Sequence, residues 1–256
     1  TGEITQGFIT GTVTGEDGSP IEGANVGVLV GPIGYKKLTV PTDQDGRFRL
    51  PFSTTGDFVL QTGKVGFTQA LRNVQIVAEG RDFDIGQVTL NIADTQVTQI
   101  DTSVGGTASN TDGSASVTIP AGASQDIIDV SITNYQNVEG LPTRLPELSM
   151  FTYAFAPEPQ GVEFSAPVEF RLENILGFAQ GTELVVGIVD DELGRWVDSG
   201  SNAVIVPDKK MQGAVSWNPK SFRVADTNQP TVCRPKGGDV NAVCKEPDVE
   251  IDECTS

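Results

Sequence analysis

Along almost the whole chain, apolar residues recur at every second position in short runs, and helical spacing is nearly absent. A period of two places alternate side chains on opposite faces of a strand, so each run reads as a strand with one face in a core. In the first part the pattern is carried by Phe48 and Leu50, Phe58 and Leu60, Val65 and Phe67, and Val88 and Leu90. In the second it is carried by Ile128, Val130 and Ile132, by Phe151, Tyr153 and Phe155, by Val168, Phe170 and Leu172, and by Leu184, Val186 and Ile188. Gly, Pro or Asp bound the runs, and Asp17-Gly18, Asp45-Gly46 and Asp112-Gly113 offer the positive backbone angles that tight hairpins need. The expected fold class is all-β, with two β-sandwich domains in tandem, for which 256 residues suffice.

Where the sandwiches divide follows from composition. Residues 91–104 are polar and Thr-rich, which puts the boundary near Ile92–Gln96 and predicts domains at 1–92 and 93–226. Beyond Asp226 the alternation stops, and Pro230, Pro235, Gly237, Gly238 and Pro247 punctuate a tail, 227–256, too irregular to bury a core of its own. All three cysteines lie there, spaced unlike any short zinc motif, so disulfides are the better reading. We expect Cys233 and Cys244 to pair, a closure worth about 2–4 kcal/mol in the chain-entropy account. Cys254 is then the odd thiol, free or paired outside the chain.

The sequence contains no histidine, which removes the usual general base, triad member and transition-metal ligand. Only carboxylate chemistry survives, such as a two-acid glycosidase or an oxygen-ligand calcium site. Since the acidic residues all admit turn or surface readings, we expect no catalysis and no cofactor. A formal charge of −17 repels phosphate backbones and anionic headgroups, so neither nucleic acid nor membrane insertion is expected. No apolar run approaches the roughly 18–20 residues that span a bilayer as a helix. The sequence opens on Thr1, which suggests a removed signal peptide or a trimmed chain.

Two family resemblances refine the fold. GFITGTVTGEDGSPIEGANVGVLV, TDQDGRFRLPF, DFVLQTGKVGF and DIGQVTL, within about residues 7–90, resemble the carboxypeptidase regulatory-like domains, prealbumin-like sandwiches of about seven strands. That resemblance implies a non-catalytic spacer or binding module of a secreted protein. Within about residues 97–225, GGTASNTDGSASVTIPAGA, FTYAFAPEPQGVEFSAPVEFRL and ELVVGIVDDELGRWVDSG resemble the β-sandwich found in netrin receptors, ankyrins and zona-occludens proteins. Some members of that family cleave themselves at a His-Phe-Ser step; the corresponding run, Ser216 to Phe222, lacks the histidine, so self-cleavage is not expected. The closing EIDECTS resembles the start of calcium-binding epidermal-growth-factor-like modules.

Individual residues can be weighed between chemistry and structure. Asp43 and Asp45 open like a calcium loop, but Arg47 and Arg49 follow and no glutamate stands at the twelfth position, so a turn is expected. Asp190, Asp191 and Glu192 are the calcium candidates; their place between a strand and Gly194-Arg195-Trp196 reads as a solvated hairpin turn. Trp196 and Trp217 could stack on sugars, although alternating strands favour a core position. Ile4, Thr5 and Phe8 form a segment able to add to a neighbour's sheet edge or to lengthen its own first strand. The resulting expectation is an extracellular or cell-surface, non-enzymatic structural protein that associates with copies of itself into a filament or array. The alternative is an adhesin module that binds carbohydrate or another surface protein.

Overall fold

The computed structural model describes residues 6–146, 149, 151–160 and 162–215, together with the backbone of 224–227. Every regular element among them is a strand. Seven strands build the first sandwich: β1 (Gly7–Gly15), β2 (Asn25–Val30), β3 (Thr39–Pro41), β4 (Arg47–Phe52), β5 (Gly56–Gly63), β6 (Ala70–Ile76) and β7 (Phe83–Leu90). One of its sheets runs β4-β1-β7 and the other β3-β2-β5-β6. β1 is central, antiparallel to β4 and parallel to β7.

The inward positions of these strands supply the core. Ile9, Val13, Val26, Leu50, Phe58, Leu60, Val88 and Leu90 are buried together between the two sheets. Tyr35 meets Phe58 edge-on, with centroids 5.0 Å apart, an arrangement favoured by the aromatic quadrupoles. The expected pair Val65 and Phe67 does not form a strand. Lys64 to Phe67 is instead a turn closed by the Phe67 amide on the Lys64 carbonyl at 3.0 Å. Gly66 takes φ +85° in its third position, which leaves Val65 fully exposed.

The second sandwich comprises β8 (Thr98–Asp101), β9 (Gly106–Ser109), β10 (Ala115–Ile119), β11 (Ile127–Asn134), β12 (Phe151–Glu158), β13 (Val168–Glu173), β14 (Glu183–Asp190), β15 (Arg195–Ile205), β16 (Lys210–Val215) and β17 (Val224–Thr227). They form one sheet, ordered β8-β11-β12-β17-β14-β15-β16-β13-β10-β9. Its two outermost strands follow each other in the chain and lie against one another, so the sheet is rolled back on itself. Enclosed between the layers are Val117, Val130, Ile132, Phe155, Val168, Phe170, Leu184 and Val186. The Phe155 and Phe170 rings are 5.6 Å apart. Between the sandwiches the chain runs from Leu90 to Thr98 without regular structure.

Two sandwiches in tandem have several outer strands whose edges could pair with other chains, and the structure blunts most of them. On β4, Asp43 Oδ1 accepts the Arg47 amide at 2.8 Å, and Pro51 has no N–H while its carbonyl accepts the Tyr35 hydroxyl at 2.9 Å. β3 is three residues long and ends at Pro41; β8 and β9 have four residues each. β7 carries Gly86 at φ +74° beside a register shift against β1. Short strands, prolines and bulges are the usual protections against edge pairing. The remaining edge, β6, is covered by the second sandwich.

Candidate functional site: the joint between the sandwiches

Several strands break the rule of one buried face. In β12 every residue from Thr152 to Pro157 is buried, and in β5 Val59 is buried along with its neighbours Phe58 and Leu60. The second faces meet one another. Val59 on β5 and Leu71 on β6 pack with Tyr135, Leu141, Ala154, Ala156, Val189 and Trp196 of the second sandwich, with Leu29 and Val30 at the margin. Ala154 and Ala156 are small enough to let the sheets approach. Trp196, 5% exposed, fills the space beside them. Its indole Nε1 donates to the Thr143 carbonyl at 3.2 Å, and the Thr143 hydroxyl donates to the Gly194 carbonyl at 2.7 Å.

Polar bonds fix the register of this contact. The Leu71 amide donates to the Pro142 carbonyl at 2.5 Å, so the 141–145 segment serves as a partner for the β6 edge. Asn73 Nδ2 donates to the Leu193 carbonyl at 3.0 Å, and Asn91 Nδ2 to the Gly140 carbonyl at 2.9 Å. Gly140 is required by the close approach, because a Cβ there would overlap Asn91 Oδ1. Gly194 is constrained twice: it sits at φ +62°, and a Cβ would lie 2.8 Å from Val59 Cγ1.

Arg72 is the unusual member. Its residue is 8% exposed, its Nη1 donates to the Leu71 and Pro142 carbonyls at 2.7 and 3.2 Å, and its Nε has no partner. None of the three ion pairs among the described residues includes it. Burial, reinforced by the nearby Arg144 charge, pulls its pKa down to about 10. That depression below the usual guanidinium range disfavours the charged form by roughly 3 kcal/mol. Asp94, in the connection, is drawn upward by partial burial, but the Thr111 hydroxyl and amide more than reverse this and hold it below the usual carboxylate range. The Thr111 hydroxyl lies 2.7 Å from Asp94 Oδ1 and its amide 3.0 Å from Oδ2.

The residues singled out from sequence fall as follows. Asp190, Asp191 and Glu192 lie at the tip of the β14–β15 hairpin, where Asp190 Oδ1 accepts the Glu192 and Leu193 amides at 2.9 and 3.1 Å. That carboxylate shapes the turn that carries Gly194 to Val59. Among the described residues no three acidic, Cys or His side chains converge as a metal site, these three included. Asp43 likewise accepts the Asp45 and Arg47 amides, and Asp45 pairs with Arg47 at 2.9 Å. Phe8 lies within β1, flanked by β4 and β7 of its own sheet, under the Arg49 guanidinium at 3.5 Å from its ring centroid. Phe8 thus belongs to its own domain's sheet. Ile4, Thr5, Trp217, the Ser216–Phe222 run, Cys233, Cys244, Cys254 and the epidermal-growth-factor-like ending lie outside the described residues.

Sequence reasoning located Trp196 in a strand but assigned it to a domain core, and it missed Arg72, Asn91, Gly140 and Gly194. The signal that could have found the joint was the unbroken apolar runs Phe58-Val59-Leu60 and Ala154-Phe155-Ala156, which mean two buried faces. Elsewhere an open groove of about 710 Å³ is lined by β1, β4 and the end of β3, and includes Asp43, Arg47, Arg49 and Asp84.

Residues 8–93, about a third of the chain, match the family model of the carboxypeptidase regulatory-like domain, the family that the first block resembles. A search of curated proteins finds no match. Among solved structures, the chain is similar to the major pilin subunit BcpA of Bacillus cereus, with 13% identity over 89% of this chain and 60% of that one and a TM-score of 0.25. The streptococcal ancillary pilin gives 10% identity over 90% and 55%, with a TM-score of 0.28. Catechol 1,2-dioxygenase from Pseudomonas arvilla C-1 gives 12% identity over 36% and 54%, with a TM-score of 0.28. The chain spans a little over half the length of each of these three.

Proposed function

We propose that this chain is a non-enzymatic structural unit of an extracellular surface assembly, two sandwiches fused into one rigid block that associates with copies of itself. The observation that carries this reading is the buried joint. Domains that must move relative to each other usually meet through modest, polar contacts. Here a Trp, a Tyr, four Leu and three Val residues are buried or packed between the sandwiches, and backbone bonds fix their register. A block of that kind holds its two ends at a constant distance and angle, which a spacer or array subunit needs and a binding cleft does not.

The chemistry points the same way. The joint's strongest electrostatic feature, Arg72, is enclosed rather than presented to a ligand. Trp196 is packed inside the joint and so does not form a sugar-stacking platform. The charge of −17 opposes association, so contacts between copies are expected to be backbone-mediated or apolar, with the carboxylates turned outward.

Light scattering and electron microscopy of the intact, oxidised protein over rising concentration test the proposal. Discrete oligomers or fibres are expected. A protein that stays monomeric at all concentrations, with and without reductant, would overturn self-association and leave an adhesin module as the working reading.

A further inference from the structure

We propose that β17 is an exchangeable strand, taken up between β12 and β14 of a neighbouring copy, so that the self-association argued above proceeds by head-to-tail donation of this segment. The proposal rests on that reading and supplies its mechanism.

The topology points to this segment. β12 and β14, eight residues each, do not pair with one another; β17 lies between them, antiparallel to both. The two flanking strands therefore run parallel across a slot two strand spacings wide, roughly 9–10 Å. β17 fills it with four residues, pairing Ala225 with Ala154 and Gly187, and Val224 with Phe155 and Ile188. No other strand of the sheet is so short and also internal.

The slot cannot stay empty without exposing two rows of unpaired backbone groups above Phe155 and Val186 of the core. Something must occupy it, and the same four residues from another copy restore the same hydrogen bonds. Exchange is then close to isoenergetic, which is the condition for strand swapping. The outer edges of both sandwiches are short, proline-blocked, bulged or covered, which leaves this internal slot as the place for a strand from outside.

The linkage length sets the regime. β17 stands three strand positions from β16, about 14 Å, and the eight residues 216–223 that join them can reach about 30 Å. Self-filling is therefore favoured in dilute solution. Donation takes over as local concentration approaches the effective concentration of the tethered strand, which is in the millimolar range for a short linker. A surface array provides such crowding. Each copy donates one strand and accepts one, a heterologous contact that generates open filaments unless it closes into a ring.

The test uses full-length chains in which Cys233, Cys244 and Cys254 are serine. One carries Ile188→Cys and the other, enlarged by a tag, carries Val224→Cys; a second pair carries Val186→Cys and Asp226→Cys. Both pairs are direct cross-strand neighbours, the spacing a disulfide needs. After co-incubation at high concentration and mild oxidation, a covalent heterodimer of mixed tag size is expected on non-reducing gels, rising with concentration. A chain carrying both cysteines should close on itself when dilute. Oligomers in light scattering with no heterodimer from either pair would overturn strand exchange and leave self-association standing. Monomers at every concentration would overturn both.

Discussion

Replacing Trp196 by alanine should uncouple the two sandwiches. The side chain is 5% exposed and packs across the joint with Val59, Leu71, Ala154 and Ala156. Removing a buried indole typically costs about 3–5 kcal/mol in lost transfer energy and cavity. The Thr143 carbonyl also loses its donor at 3.2 Å, adding roughly 1 kcal/mol. Most of this loss falls on the joint rather than on either core, so urea unfolding of Trp196→Ala should change from one cooperative transition to two. Trp196→Phe keeps much of the ring and loses the donor, so it should cost about 1–2 kcal/mol and keep a single transition. Urea titrations followed by circular dichroism, with small-angle scattering for overall dimensions, provide the assay. A single transition shifted by less than about 1 kcal/mol in Trp196→Ala would refute the claim that this contact couples the domains.

Three further outcomes follow from the same contacts. Arg72→Met should change stability by less than about 1 kcal/mol at pH 7, because relief of the buried charge offsets the two lost carbonyl bonds; Arg72→Ala adds a void and should cost about 2 kcal/mol or more. The unfolded chain holds this proton to a higher pH than the folded chain, which releases it near pH 10. The Arg72 contribution to stability therefore rises as pH climbs through about 10, a rise that urea titrations should find missing in Arg72→Met. Gly194→Ala forces a Cβ to 2.8 Å from Val59 Cγ1 at φ +62° and should destabilise by about 2–3 kcal/mol, with Val59→Ala partly rescuing it in a double-mutant cycle. Asp101 and Asp112 are held low by the Ser103 and Ser114 hydroxyls, as Asp94 is by Thr111. Lowered carboxylates give stability that is complete above their unfolded pKa, near 4, and lost as pH falls through the folded values, so the loss of stability below about pH 4 should be shallower in Asp94→Asn, which lacks this titration, than in the parent.

Much of the architecture could be read from residues alone, because Phe48/Leu50, Ile128/Val130/Ile132 and Val168/Phe170/Leu172 each have one face in a core and obey a period of two. The Asp-Gly turns were legible for the same local reason: Gly18, Gly46 and Gly113 all adopt positive φ. Val65 misled, since Gly66 turns the chain where alternation continues. The joint was hidden because it depends on which outer faces meet, a long-range fact that no single run encodes. Arg72 resembles a solvent-facing strand residue until Pro142, seventy positions later, closes over it. Leu184, Val186 and Ile188 illustrate both sides: the first two are core, Ile188 is only half-buried, and Val189, on the opposite face, is completely buried against the first sandwich. Val224 to Asp226 of β17 fall inside the second domain's expected span and Thr227 just beyond it, yet nothing in their composition indicates insertion between two non-consecutive strands.

The central claim, that the buried joint makes one rigid block of two sandwiches, is tested most directly by a pulsed electron-spin distance measurement. Spin labels would be placed at exposed strand positions, Asn25→Cys in the first sandwich and Glu169→Cys in the second, with the native cysteines changed to serine. The account predicts a single narrow distance distribution that is unchanged from low to physiological salt and broadens in Trp196→Ala. A broad or multi-peaked distribution in the otherwise unmodified chain would contradict it.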